Sequence, residues 1–105
     1  MAAVPGLEKY HGTDTFLSEA LTLEAEKALN NAQKSDKPFF LYMAHYAVHT
    51  PIQPDLRFYQ KYIDKELPPV EAAYATLIEG MDKSLGDLMD YLKENNLEDN
   101  TVILF

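Results

Sequence analysis

Lys37-Pro-Phe-Phe-Leu-Tyr-Met-Ala-His-Tyr-Ala-Val-His-Thr-Pro51 is the segment that decides the predicted fold. Its first part, residues 38–44, is almost entirely apolar and contains two adjacent phenylalanines, a composition typical of a strand buried on both faces of a sheet. His45 and His49 follow this strand at once. Because open α/β proteins bind ligands at the carboxyl ends of their strands, the segment predicts a chemical site at the end of a sheet.

Periodic apolar residues predict the helices on either side of this segment. Apolar positions recur at steps of three and four over about 15–34 and about 70–94, which indicates two amphipathic helices. Pro54 suits the first position of a shorter helix over about 55–63. A second apolar strand, rich in β-branched residues, is predicted over about 101–105.

The order of these elements predicts an α/β fold with an incomplete sheet. Buried strands over about 38–45 and about 101–105, joined by a helical crossover, are normally parallel neighbours. A sheet of only two strands leaves open edges and uncovered faces, which natural domains avoid. Residues 1–105 are therefore expected to be a single fragment of a larger domain.

The composition excludes several function classes. The 105 residues carry a formal charge of −8 with no basic stripe, which argues against nucleic acid and anionic membranes as partners. The chain has no cysteine, so it offers no disulfide, thiolate metal site or thiol nucleophile. No stretch reaches the roughly 20 apolar residues that a membrane span needs.

Three blocks, residues 38–51, 74–86 and 97–105, resemble successive blocks of the sulfatase family in order and spacing. The resemblance implies a partial alkaline-phosphatase-like fold and the hydrolysis of sulfate esters by a formylglycine nucleophile beside a calcium ion. That family makes formylglycine from Cys or Ser in a C/S-x-P-S-R motif, which this chain lacks. The resemblance places the calcium-binding Asp-Asn pair just beyond Phe105. Calcium and formylglycine are therefore expected in the full-length enzyme, and no residue of this chain is expected to bind a metal.

His49 is the catalytic and substrate-binding residue that the resemblance implies. It matches the histidine of the family's His-x-Pro loop, which contacts the sulfate and is thought to protonate the leaving oxygen. An imidazole can deliver a proton near neutral pH and can bind a sulfate oxygen when charged. Taken without the resemblance, His45 and His49 fit either ordinary loop histidines or a metal pair. The resemblance assigns a role to His49 alone.

The other conspicuous residues are expected to be structural. His45 is predicted to be partly buried and satisfied. Tyr42 and Tyr46 fit a hydrophobic core better than a sugar pocket, because aromatic residues in and beside an apolar strand are usually core. Gly80 and Gly86 lie inside the long predicted helix, where glycine indicates close packing against a neighbour rather than a ligand loop.

Three functions follow from these observations. The first is a segment of a sulfatase that is inactive alone and acts on a sulfated small molecule or glycan within the full-length enzyme. The second is a phosphodiesterase or phosphonate hydrolase of the same superfamily. The third is a non-catalytic α/β module that self-associates through its unpaired strand edges. The family resemblance suggests a periplasmic or extracellular location, and no targeting signal is visible in the sequence.

Overall fold

The computed structural model describes residues 4–105, and the elements in this range are helical. The helices are α1 (Leu17–Gln33), α2 (Tyr59–Asp64) and α3 (Pro69–Glu94). Short 3₁₀ turns cover Glu8–Tyr10 and Glu98–Asn100. Helix α3 is the longest element and packs against both other helices.

The predicted α/β fold with parallel strands is wrong for this structure, since no strand occurs anywhere in residues 4–105. Segments 38–45 and 101–105 lack regular secondary structure, and no backbone hydrogen bond joins them. Phe40 and Leu104 are each 91% exposed. Apolar and β-branched composition indicates that a segment tends to be buried, but a strand forms only where a partner completes its hydrogen bonds.

Local sequence explains where the long helices begin and end. Pro69 occupies the first turn of α3, where its missing N–H has no helical partner to lose. Glu71 in the first turn and Lys93 in the last complement the helix dipole. After each long helix a residue takes a left-handed backbone conformation: Asp36 has φ 56° after α1, and Asn96 has φ 58° after α3.

Helix α2 begins later than the predicted range of about 55–63. The Asp55 side chain accepts a hydrogen bond from the Arg57 backbone N–H at 3.1 Å, and the Phe58 N–H donates to the Asp55 carbonyl. Aspartate that binds the backbone amide two residues ahead favours a turn over a helix. The chain therefore turns at residues 55–58 and becomes helical only at Tyr59.

Helices α1 and α3 lie side by side and run in the same direction. The Thr22 and Ser84 hydroxyls are 2.5 Å apart near the middle of the interface. Further along both helices, the Tyr91 hydroxyl donates to Asn30 and accepts from Gln33 at 2.7 Å. Residues later in α1 contact residues later in α3, so the two helices are parallel. The 35 residues from 34 to 68 therefore run back from the C-terminal end of α1 to the N-terminal end of the helix pair, where α3 begins.

Candidate functional site

His49 lies in a turn that fixes the position of its ring. Its backbone N–H donates to the Tyr46 carbonyl at 3.1 Å, and the two rings are 5.2 Å apart at an angle of 37°. The ring Nδ1 is 2.5 Å from the Thr50 carbonyl oxygen. Because a carbonyl oxygen only accepts, this contact places a proton on Nδ1 and leaves Nε2 available to a ligand. The residue as a whole is exposed.

A groove of about 740 Å³ starts beside this turn. Tyr46, Pro51 and Gln53 line its near side, and residues 13–17 and 54–57 line the remainder. His49 is not among the lining residues, but Tyr46 both contacts the His49 ring and faces the groove. The volume falls within the range of roughly 300–1,000 Å³ that small-molecule sites occupy.

An ion pair between the buried Asp55 and the partly exposed Arg57 lines this groove, and sequence reasoning missed it. The Asp55 side chain is 1% exposed and accepts from Arg57 Nε at 3.0 Å and from an Arg57 terminal nitrogen at 2.6 Å. The Asp55 backbone N–H donates to the Thr76 hydroxyl at 2.9 Å, which ties the turn to α3. The available signals were that Arg57 is the chain's single arginine and that Gly80 interrupts a long helix.

The two helix glycines have different surroundings. A Cβ atom at Gly80 would lie 3.1 Å from Asp55 Oδ2, so glycine lets the carboxylate approach the helix. At Gly86 a Cβ atom would meet nothing within 4 Å, and the residue is exposed. The prediction of close packing is therefore confirmed for Gly80 and wrong for Gly86.

The predicted core role of the two tyrosines is also wrong. Tyr42 is 81% exposed and Tyr46 is 44% exposed. The segment that carries them has no partner strand within residues 4–105, so their rings remain accessible. Tyr46 lies against His49, whereas Tyr42 is absent from the groove lining.

His45 is partly buried as predicted, but it is not satisfied. Its Nδ1 atom is buried and has no hydrogen-bond partner among the described residues. Burial lowers the pKa of the His45 imidazole from the ordinary value of 6.5, because desolvation disfavours the charged ring.

We expect His45 to make stability depend on pH. Since its pKa is lower in the folded state than the value of about 6.5 in the unfolded chain, the unfolded state binds more protons in the interval between them. Stability should therefore fall as the pH drops through about 6.5 and level off below the folded-state pKa. Urea unfolding from pH 8 to 5 measures this effect, and His45→Gln should flatten the profile. An unchanged profile in the His45→Gln variant would contradict this role of His45.

The described residues contain no group of three or more His, Cys, Asp or Glu side chains that could hold a metal ion. The chemistry derived below for residues 4–105 uses their own groups only. None of the helices in the same range combines the length and apolar character that crossing a membrane requires.

The exposed His49, with its Nδ1 on the Thr50 carbonyl and its ring against a tyrosine that lines the groove, is the candidate functional residue of this region. The family profile described as Sulfatase matches residues 4–105. A Formosa agariphila protein named Sulfatase is 31% identical in an alignment of 105 positions that covers 90% of this chain and 19% of that protein. An Escherichia coli protein named uncharacterized sulfatase YdeN is 34% identical over 91 residues, which cover 86% of this chain and 16% of that protein. The chain belongs to the sulfatase family. It spans less than a fifth of the length of these two relatives.

Proposed function

We propose that this chain supplies His49 to the hydrolysis of sulfate esters within a complete sulfatase. The observation that carries the proposal is the contact between Nδ1 and the Thr50 carbonyl, which leaves Nε2 of an exposed ring without another partner among the described residues. Membership of the sulfatase family, and two relatives named as sulfatases, favour this reaction over phosphodiester or phosphonate hydrolysis.

The proposed role of His49 is that of a general acid. When an oxygen nucleophile from the rest of the enzyme bonds to sulfur and the bond between sulfur and the ester oxygen breaks, negative charge develops on the leaving oxygen. A charged imidazole gives its Nε2 proton to that oxygen, which releases a neutral alcohol, and the neutral ring later regains a proton from water. Before the bond breaks, the same Nε2–H can bind a sulfate oxygen through a charge-assisted hydrogen bond. The nucleophile must come from residues other than these 105, because the chain lacks the formylglycine motif.

We expect the 105-residue chain to be inactive alone. The test is incubation with 4-nitrophenyl sulfate and calcium, with release of 4-nitrophenol followed by absorbance. The wild-type chain and the His49→Ala variant should both match the rate without protein. Turnover by the wild type above that of the variant would contradict the proposal that the nucleophile lies elsewhere.

We also propose that the isolated chain associates with a second copy of itself. Phe105 is fully exposed, Phe40 and Leu104 are each 91% exposed, and Val102 is 84% exposed. Exposed apolar side chains of this size favour association. Size-exclusion chromatography with light scattering should show a dimer or larger species. Replacing Leu104 and Phe105 with serine should shift the chain toward a monomer, and a monomeric wild type would contradict the proposal.

Family membership further supports a proposed location in the periplasm or outside the cell. Fractionation of the native host with an antibody against this chain tests it.

A further inference from the structure

The loop that follows His49 has little conformational freedom. Five residues, 50–54, connect His49 to Asp55, and the second and fifth of them are prolines. Proline fixes its own backbone φ angle at about −65° and also restricts the backbone of the residue before it. Four of the five connecting residues are therefore restrained, so a displacement of Asp55 is transmitted along the loop to His49.

Thr76 anchors the end of this loop to α3. The Thr76 hydroxyl donates to the Ala73 carbonyl at 2.6 Å, within the same helix. Because that bond uses the only hydroxyl proton, the Thr76 oxygen can only accept a further bond, and the Asp55 backbone N–H donates to it at 2.9 Å. Thr76 and Asp55 are both buried, so water cannot take the place of the hydroxyl without a change in packing.

This hydrogen bond is the tether between the His49 segment and the helices. Among the described residues, no other hydrogen bond joins residues 37–55 to a helix. The bonds of His49 itself stay within its own turn, from its N–H to the Tyr46 carbonyl and from Nδ1 to the Thr50 carbonyl. The position of the turn relative to the helices therefore depends on where the Asp55 end of the loop is held.

Two further contacts keep the Asp55 side chain in this position. Arg57 donates to the Asp55 carboxylate and also lies 3.8 Å from Glu19 of α1. Gly80 leaves the space that the carboxylate fills, since a Cβ atom there would lie 3.1 Å from Asp55 Oδ2. The end of the loop is thus fixed relative to both long helices.

We propose that Thr76 is a positioning residue for His49: its hydroxyl holds the Asp55 end of the loop and thereby sets where the His49 imidazole meets the ester. The inference rests on the proposed function of His49 as a proton donor. Thr76 is buried and acts through Asp55 and the restrained loop, without touching the substrate. A misplacement of about 1 Å can cost a factor of about a hundred in rate, so loss of the hydroxyl should impair proton donation by His49.

The test compares kcat for hexyl sulfate and for 4-nitrophenyl sulfate in a chimera, in which the aligned part of this chain replaces its counterpart in the Escherichia coli relative. Hexyl sulfate needs a proton on its leaving oxygen, whereas 4-nitrophenolate leaves readily without one. Thr76→Val should lower kcat for hexyl sulfate by about tenfold or more and kcat for 4-nitrophenyl sulfate by less than about twofold. Thr76→Ser keeps the hydroxyl and should retain the wild-type ratio of the two rates. A loss of folded enzyme lowers both rates by the same factor, so this ratio does not respond to stability alone.

Thr22→Val is the matched control. Thr22 is also a buried helical threonine whose hydroxyl donates to a carbonyl of its own helix, at 2.7 Å, but its other partner is Ser84 rather than the His49 loop. Its replacement removes the same group and should leave the ratio of the two rates unchanged. Gly80→Ala disturbs the Asp55 carboxylate directly and should shift the ratio several-fold in the same direction as Thr76→Val. It decides the question if Thr76→Val does not fold.

The outcomes separate this inference from the proposed function. If His49→Ala selectively lowers the hexyl sulfate rate while Thr76→Val and Gly80→Ala keep the wild-type ratio, the proton donor stands and the positioning role is wrong. A shift in the ratio by Thr22→Val as large as that by Thr76→Val would also overturn the positioning role. If His49→Ala does not change the ratio, the proposed function fails and this inference fails with it. Adding Thr76→Val to His49→Ala should leave the ratio at the value of the single His49 variant, because both changes act on one proton transfer.

Discussion

His49→Ala is expected to lower kcat by about a hundredfold to ten-thousandfold in a complete sulfatase that carries this segment, the usual contribution of a positioned general acid. A chimera provides such an enzyme, with the aligned 86% of this chain replacing its counterpart in the 91-position alignment with the Escherichia coli relative. The loss should appear mainly in kcat, because protonation of the leaving oxygen occurs in the transition state.

The choice of leaving group distinguishes a proton donor from a residue that only binds sulfate. An alkyl sulfate releases a strongly basic alkoxide and should depend on His49 far more than 4-nitrophenyl sulfate, whose phenolate leaves readily without a proton. If His49 only binds sulfate, the two substrates should lose activity equally. His45→Ala is the matched control, since that histidine lies four residues away and its Nδ1 is buried. An unchanged kcat for both substrates in the His49 variant would reject the catalytic role.

Arg57→Met is expected to lower the free energy of unfolding by about 3 kcal/mol, near the lower end of the cost of breaking a buried ion pair. The Asp55 carboxylate is 1% exposed and would lose both side-chain donors. The Arg57 side chain is itself 28% exposed, so in the variant some water can reach the Asp55 carboxylate. We therefore expect the loss of stability to stay below the upper end of the cost of breaking a buried ion pair. Urea denaturation at pH 7 measures the change.

Two further variants identify the cause of this loss. Adding Asp55→Asn to Arg57→Met should recover part of the stability, because a neutral amide costs less to bury without a cation. Lys93→Met is the matched surface control, since Lys93 is exposed in the last turn of α3, and its effect should stay within about 0.5 kcal/mol. A loss below about 1 kcal/mol for Arg57→Met would show that solvent replaces the guanidinium at little cost.

Sequence reasoning located the parts of the fold that depend on near neighbours. Helix α3 was predicted over about 70–94 and occupies Pro69–Glu94, and α1 was predicted over about 15–34 and occupies Leu17–Gln33. Each helix closes its own hydrogen bonds within four residues, so periodicity and capping residues suffice to place it. The late start of α2 was not predicted, because it depends on the Asp55 side chain, whose hydrogen bond from the Arg57 amide competes with the helix.

The sulfatase resemblance of this chain was also readable from sequence, since it depends on the order of residue blocks, and the family match over residues 4–105 confirms it. The sequence alone did not determine whether strands form. Apolar residues at 38–45 and 101–105 indicate a tendency to be buried, but a strand requires a partner at long range, and the described residues provide none. Likewise, only the tertiary structure brought Asp55 against Gly80 and placed a groove beside Tyr46, because these contacts join segments far apart in sequence.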